Sequence, residues 1–165
     1  ELTDSKDKNM VKFSRNGQTG GKQMGRRASR EVAMKLLYQM EIQKEDREEQ
    51  KRLFFEEYTT TGMDKDYIND VIDGVFSNKE FIDKLIESHS MGWKLNRISK
   101  LDLSILRLSI YEICFREDIP YNVSINEAVE LAKKYSSNEA GSFINGILSK
   151  IPKKVAVSDE QSDGG

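Results

Sequence analysis

Cysteine is almost absent from this sequence: its 165 residues contain one, at position 114. An internal disulfide is thereby excluded, and a chain without a disulfide framework suits a reducing cytoplasm. In that compartment the Asn122-Val123-Ser124 sequon carries no weight. Histidine is equally scarce, with His89 alone, which leaves almost no material for a histidine metal cluster or a Ser-His-Asp triad. No apolar run approaches the ~18 residues needed to cross a bilayer. The opening residues, ELTDSKDKNM, lack the apolar core of a signal peptide. Alternating strand patterns and internal repeats are missing as well. The expectation is a cytoplasmic, all-α chain with no cofactor and no contact with a membrane.

What remains is charge and helical period. One third of the residues are charged and 37% are hydrophobic, a balance that fits one globular domain with a real core. A net charge of −2 argues against an indiscriminate polycation, but not against a local basic patch. The charges are in fact segregated. Residues 22–38 hold five bases and one acid, whereas in 41–57 acids outnumber bases seven to four. Two surfaces of opposite sign imply something to bind.

Residues 1–23 have little to bury, and Asn16, Gly17, Gly20 and Gly21 break any regular pattern; a disordered arm is expected. Its GQTGGKQ stretch fails as a phosphate loop, because Asn16 stands at the first glycine position and Gln23 replaces the Ser/Thr. From residue 24 to 151 the apolar spacing is helical. It predicts seven helices, over 26–43, 48–58, 65–77, 79–88, 99–115, 125–136 and 142–150, with a flexible tail over 152–165. The fifth is apolar nearly all round, the mark of a central helix. Pro120 ends the turn that leaves it. In the sixth, Ser124 and Glu127 have the spacing of a capping box. Ile125, Ala128, Val129, Ala132 and Tyr135 would face the core, leaving Lys133 and Lys134 to point elsewhere.

No catalytic constellation emerges. His89 reads as a surface or helix-end residue. Cys114 lies in the most apolar helix, where burial raises a thiol pKa. Paired acids such as Glu56 and Glu57 sit on solvated faces with nothing to perturb them. A binding protein rather than an enzyme is expected. On the first helix, Arg27, Arg30, Met34 and Tyr38 recur at spacings of three, four and four, forming one stripe read as facing away from the core. With Arg26, these arginines oppose the dipole of the helix start without evident structural gain. On the last helix Phe143 lies at the edge of the apolar face. It either closes the core or offers a half-exposed ring to an unpaired base, and Gly141 and Gly146 would let a backbone or ligand come close.

Three stretches, RRASREVAMKLLYQME, LDLSILRLSIYEI and IPYNVSINEAVELAKKYSSNEAGSFINGIL, resemble the NusB family of bacterial transcription antitermination factors. The resemblance runs over about 24–151. It implies two small packed helical bundles that bind the single-stranded boxA element of nascent RNA, mainly ribosomal RNA leaders. It also implies a protein partner, NusE, a ribosomal protein of the small subunit, with RNA polymerase and other antitermination factors engaged indirectly. Carried over by position, the arginine-rich start falls on Arg26, Arg27 and Arg30, the RNA-facing aromatic on Phe143, and the acid upstream of it on Glu139. The NusE-facing positions fall near Tyr38 and at Asp102, on a polar strip away from Lys100, Ser104 and Arg107. Lys133 and Lys134 would then lie near phosphates, although cations also suit a helix C-terminus. The long N-terminal arm departs from the family pattern and bears on how accessible the arginines are.

Two other readings stay open. One is a helical protein-interaction module with no RNA affinity. The other is enzymatic, since similar helical domains occur fused to RNA methyltransferases; it would need a strand-helix domain with a glycine-rich cofactor loop, which these residues do not contain.

Overall fold

A computed structural model describes residues 25–57 and 62–153. The arm expected over 1–23 and most of the tail lie outside the described residues. Among the described residues there are seven α-helices and no strand: α1 (Gly25–Ile42), α2 (Arg47–Glu57), α3 (Lys65–Ser77), α4 (Lys79–His89), α5 (Lys100–Phe115), α6 (Tyr121–Tyr135) and α7 (Asn138–Leu148). A 3-10 turn at Leu95–Arg97, which periodicity did not predict, leads into α5. No helix among the described residues is long and apolar enough to cross a membrane.

The all-α expectation holds, and α5 is the axis. It packs against α1, α3, α4, α6 and α7, and thirteen of its sixteen residues are buried. Its start is fixed locally, because the Ser99 hydroxyl accepts the Asp102 N–H at 3.1 Å. α1, α2 and α3 form one small bundle, α6 and α7 an antiparallel hairpin, and α5 contacts both groups. The hairpin closes where the Tyr121 hydroxyl donates to the Leu148 carbonyl at 2.9 Å.

Two glycines set how closely helices approach. A Cβ on Gly74 would lie 2.1 Å from the Tyr111 ring, so only glycine lets that ring cross α3. There its hydroxyl donates to Asp70 at 3.0 Å, and the ring stacks on Phe115. A Cβ on Gly141 would come 3.2 Å from the Lys133 Cγ. Gly141 thus makes room for α6 rather than for a ligand, whereas Gly146 opens onto empty space.

The capping box is a correction. α6 begins four residues before position 125, at Tyr121, because Pro120 takes the cap position in extended backbone with φ −60° and ψ 141°. A proline there loses nothing, since the first N–H groups of a helix have no intrahelical acceptor. Its carbonyl accepts the Ser124 N–H at 3.2 Å, so Ser124 belongs to the first turn. α7 also starts early, at Asn138, with Ser137 accepting the Ala140 N–H at 3.0 Å. At the far end Ile151 is buried and the Lys153 ammonium donates to the Ile119 carbonyl. The chain therefore stays on the fold slightly past the expected start of the tail.

Candidate functional site

The outward stripe on α1 is the main correction. Met34 is fully buried, Arg30 is 3% exposed and Tyr38 8%. Neighbours wrap α1 over more than the arc its apolar residues define, and a long arginine stem can enter that arc if its head meets a carboxylate. The carboxylate is Glu112, wholly buried in the last turn of α5, whose oxygens accept from Arg30 Nε at 2.7 and 3.0 Å. Burial works to lower the Arg30 pKa, but the hydrogen bonds and charge of Glu112 outweigh it and the guanidinium stays firmly protonated. Tyr67 packs into the same region, and its hydroxyl is pushed up by burial first and by the Glu112 charge second. An ionisable group in an apolar helix was the available signal, since a buried carboxylate requires a partner.

The other arginines also have structural partners, contrary to expectation. Arg26 lies over the Tyr67 ring at 4.4 Å and within 3.6 and 3.7 Å of Asp64 and Asp118. Arg27, whose side chain is 76% exposed, grips Glu127 of α6 with Nε at 3.1 Å and Nη2 at 2.7 Å. Glu127 thus bridges to α1 instead of capping its own helix. One turn along the seam, Glu31 accepts from Lys134 at 3.1 and 3.2 Å and from the Tyr135 hydroxyl. The seam between α1 and α6 therefore gathers Arg27, Lys134, Glu31 and Glu127. Lys133 is exposed beside it, its stem against Gly141.

Glu139 and Phe143 sit one turn apart on α7, hence on one face. Glu139 is exposed in the first turn, where an acid suits the dipole. Phe143 is half-buried, and its exposed neighbour was missed in the sequence: the ring meets Trp93 edge-on, with centroids 6.3 Å apart and planes at 66°. The one tryptophan of the chain, between Gly92 and Lys94 in a polar loop, was the signal that could have found it.

The polar strip on α5 needs correcting in part. Ser104 and Arg107 are buried, and Arg107 ties α5 to α4 and α1 through Asp83 at 2.8 and 3.0 Å and Glu41 at 3.0 Å. Asp102 is intermediate, and its Oδ1 is buried without a hydrogen-bond partner among the described residues. Two residues considered for chemistry behave as packing or capping groups. Burial pushes the Cys114 thiol up to about 11, and His89, at the end of α4, bonds through Nδ1 to the Leu85 carbonyl at 2.8 Å. Among the described residues no group of three or more His, Cys, Asp or Glu could hold a metal ion.

An ion-paired seam along two helices, with an aromatic corner on the helix beside it, is the arrangement that the comparisons with known proteins bear on. The NusB family model matches residues 27–153. The chain belongs to the NusB family. The transcription antitermination protein NusB of Acetivibrio thermocellus is 61% identical over 140 residues, covering 85% of this chain and 97% of that relative. Among solved structures, T. maritima NusB aligns with a TM-score of 0.69 at 38% identity, covering 81% of this chain and 94% of that one. A chain in the crystal structure of antitermination factors NusB and NusE in complex with dsRNA aligns with a TM-score of 0.67 at 29% identity, covering 75% and 92%.

Proposed function

We propose that the protein is a cytoplasmic transcription antitermination factor that binds boxA RNA of nascent ribosomal transcripts together with the ribosomal protein NusE. Residues 24–151 form the binding domain. One observation carries the reading: the family match over 27–153 runs through both the ion-paired seam and the aromatic corner. In this reading Arg26, Arg27 and Lys134 exchange their carboxylate partners for phosphates, Lys133, which makes no ion pair among the described residues, adds a further charge, and Phe143 stacks on a base beside Glu139. Arg30 supports the surface from below, because its guanidinium is committed to Glu112. NusE docks over the rim of Tyr38 and over Asp102, which is partly exposed in the first turn of α5. The protein works by binding; its thiol is raised by burial and its imidazole is bonded to the Leu85 carbonyl.

The test is anisotropy of a labelled boxA RNA titrated with the full chain, alone and with NusE, followed by calorimetry of the protein pair with and without RNA. RNA binding that NusE strengthens is the expected result. Reciprocity then requires RNA to tighten the protein pair by the same factor. Pairing with NusE but no RNA affinity in either arm would establish the competing reading, a protein-interaction module.

A further inference from the structure

The loop between α4 and the 3-10 turn is unusually well held for a segment that buries so little. Ser90, fully buried, donates its hydroxyl to the carbonyls of Glu87 and Trp93, and the Trp93 N–H returns to the Ser90 carbonyl at 3.1 Å. Between them Met91 adopts φ 54°, followed by Gly92 at φ 88°. A left-handed methionine costs free energy and persists only when the surroundings impose it. The result is to present apolar groups to solvent: Met91 is 85% exposed and Trp93 54%. Burying the indole would have been favourable, so a rigid turn that keeps it out marks a contact surface.

The charge around this turn differs from that along the seam. Lys94 and Arg97 follow Trp93 on the same short segment, both exposed, and among the described residues neither makes an ion pair. Arg26, Arg27, Arg30 and Lys134, in contrast, all have carboxylates. Exposed rings beside cations lacking acidic partners fit a ligand that is both flat and anionic. We propose, resting on the RNA-binding reading above, that Trp93 and Phe143 form a two-ring platform on which successive unpaired bases stack, with Lys94 and Arg97 against the adjoining phosphates. Planes at 66° would turn the strand over a corner, which a single strand can follow and a stacked duplex cannot.

Because Trp93 is the one tryptophan, emission of the full chain excited to the red of tyrosine absorption reads this residue alone. The probes are boxA RNA, a twelve-nucleotide oligouridylate and an abasic strand of equal length, each followed in parallel by anisotropy. Quenching that saturates with the anisotropy for the first two strands and is largely lost for the abasic one is the expected result. Trp93→Ala should weaken boxA binding on the order of 5- to 100-fold with an unchanged salt slope. Replacing both Lys94 and Arg97 with alanine should lower that slope by roughly 0.7 per charge. If Trp93→Ala does not fold, the fluorescence titration and Trp93→Phe, which should retain most of the affinity, still decide. RNA binding by anisotropy with no change in Trp93 emission overturns the platform and leaves the proposed function standing. Loss of NusE binding but not RNA binding in Trp93→Ala overturns it in favour of a protein contact. No RNA binding in any arm removes the proposed function and the platform together.

Discussion

The arginine end of α1 and the Trp93–Phe143 corner both hold groups that an RNA could use, but they hold them in opposite ways. At α1 every cation has a carboxylate, and one pair, Arg30 with Glu112, lies inside the protein. At the corner the rings are partly exposed, and among the described residues the neighbouring cations make no ion pair. The first region spends its charges on joining helices, so a ligand there must compete with Glu127 and Glu31. The second keeps its groups free, at the cost of an exposed indole and a left-handed methionine. Cationic side chains of one type can thus be framework in one place and ligand contacts in another, depending on whether a carboxylate lies within reach.

The comparison is broken most severely at Glu112. Glu112→Gln leaves the buried Arg30 charge with only the more distant Glu127 carboxylate, 3.8 Å away, and removing one partner of a buried pair costs up to about 3–5 kcal/mol. Urea denaturation should show this as a large drop in midpoint; a change too small to resolve would mean that Arg30 is not held as framework. Phe143→Ala comes next. It should lower boxA affinity by about 1–3 kcal/mol through lost stacking, with the salt slope intact. The variant should remain folded by circular dichroism, since the ring is only half-buried; unfolding would assign the ring to the core.

A smaller effect is expected at the Arg27–Glu127 pair, whose arginine is solvent-exposed. Arg27→Ala should scarcely change stability, because exposed ion pairs contribute little, yet flatten the slope of log K against log salt by roughly 0.7. An unchanged slope would mean that Arg27 only joins helices. The smallest effect is a pH dependence at Asp118, which Arg116 holds through its hydrogen bonds and which Arg26 also approaches. Its carboxyl is depressed from an ordinary 3.8 to about 2, chiefly by the Arg116 hydrogen bond. A depressed folded pKa means that the contribution is complete above the unfolded value and disappears as pH falls through the folded one. Melting temperatures of the native chain and Asp118→Asn should therefore differ slightly above pH 4 and converge towards pH 2.

Much of the fold was legible because apolar spacing reports burial directly. The third helix was predicted over 65–77 and lies at Lys65–Ser77, and α5 was identified as central from its nearly complete apolar circumference. The starts of α6 and α7 were not, because capping chemistry is ambiguous in sequence. Ser124 and Glu127 have the spacing of a box, but Pro120 occupies the cap and Glu127 finds a guanidinium one hundred residues away. The outward stripe held at Arg27 but failed at Arg30, Met34 and Tyr38 for a related reason: a helical wheel counts apolar residues and cannot see which neighbours cover a face or that a second helix carries a buried acid.

By itself the sequence determined the helical class, the order of the elements and the family, since these depend on local period and on long stretches of residue choice. Only the tertiary structure decided which charges are available. That depends on pairs far apart in the chain, Arg30 with Glu112 and Lys134 with Glu31, and on a turn that holds Trp93 outward against Phe143. A charge is spent or free according to what stands within about 4 Å of it, and sequence separation says nothing about that distance.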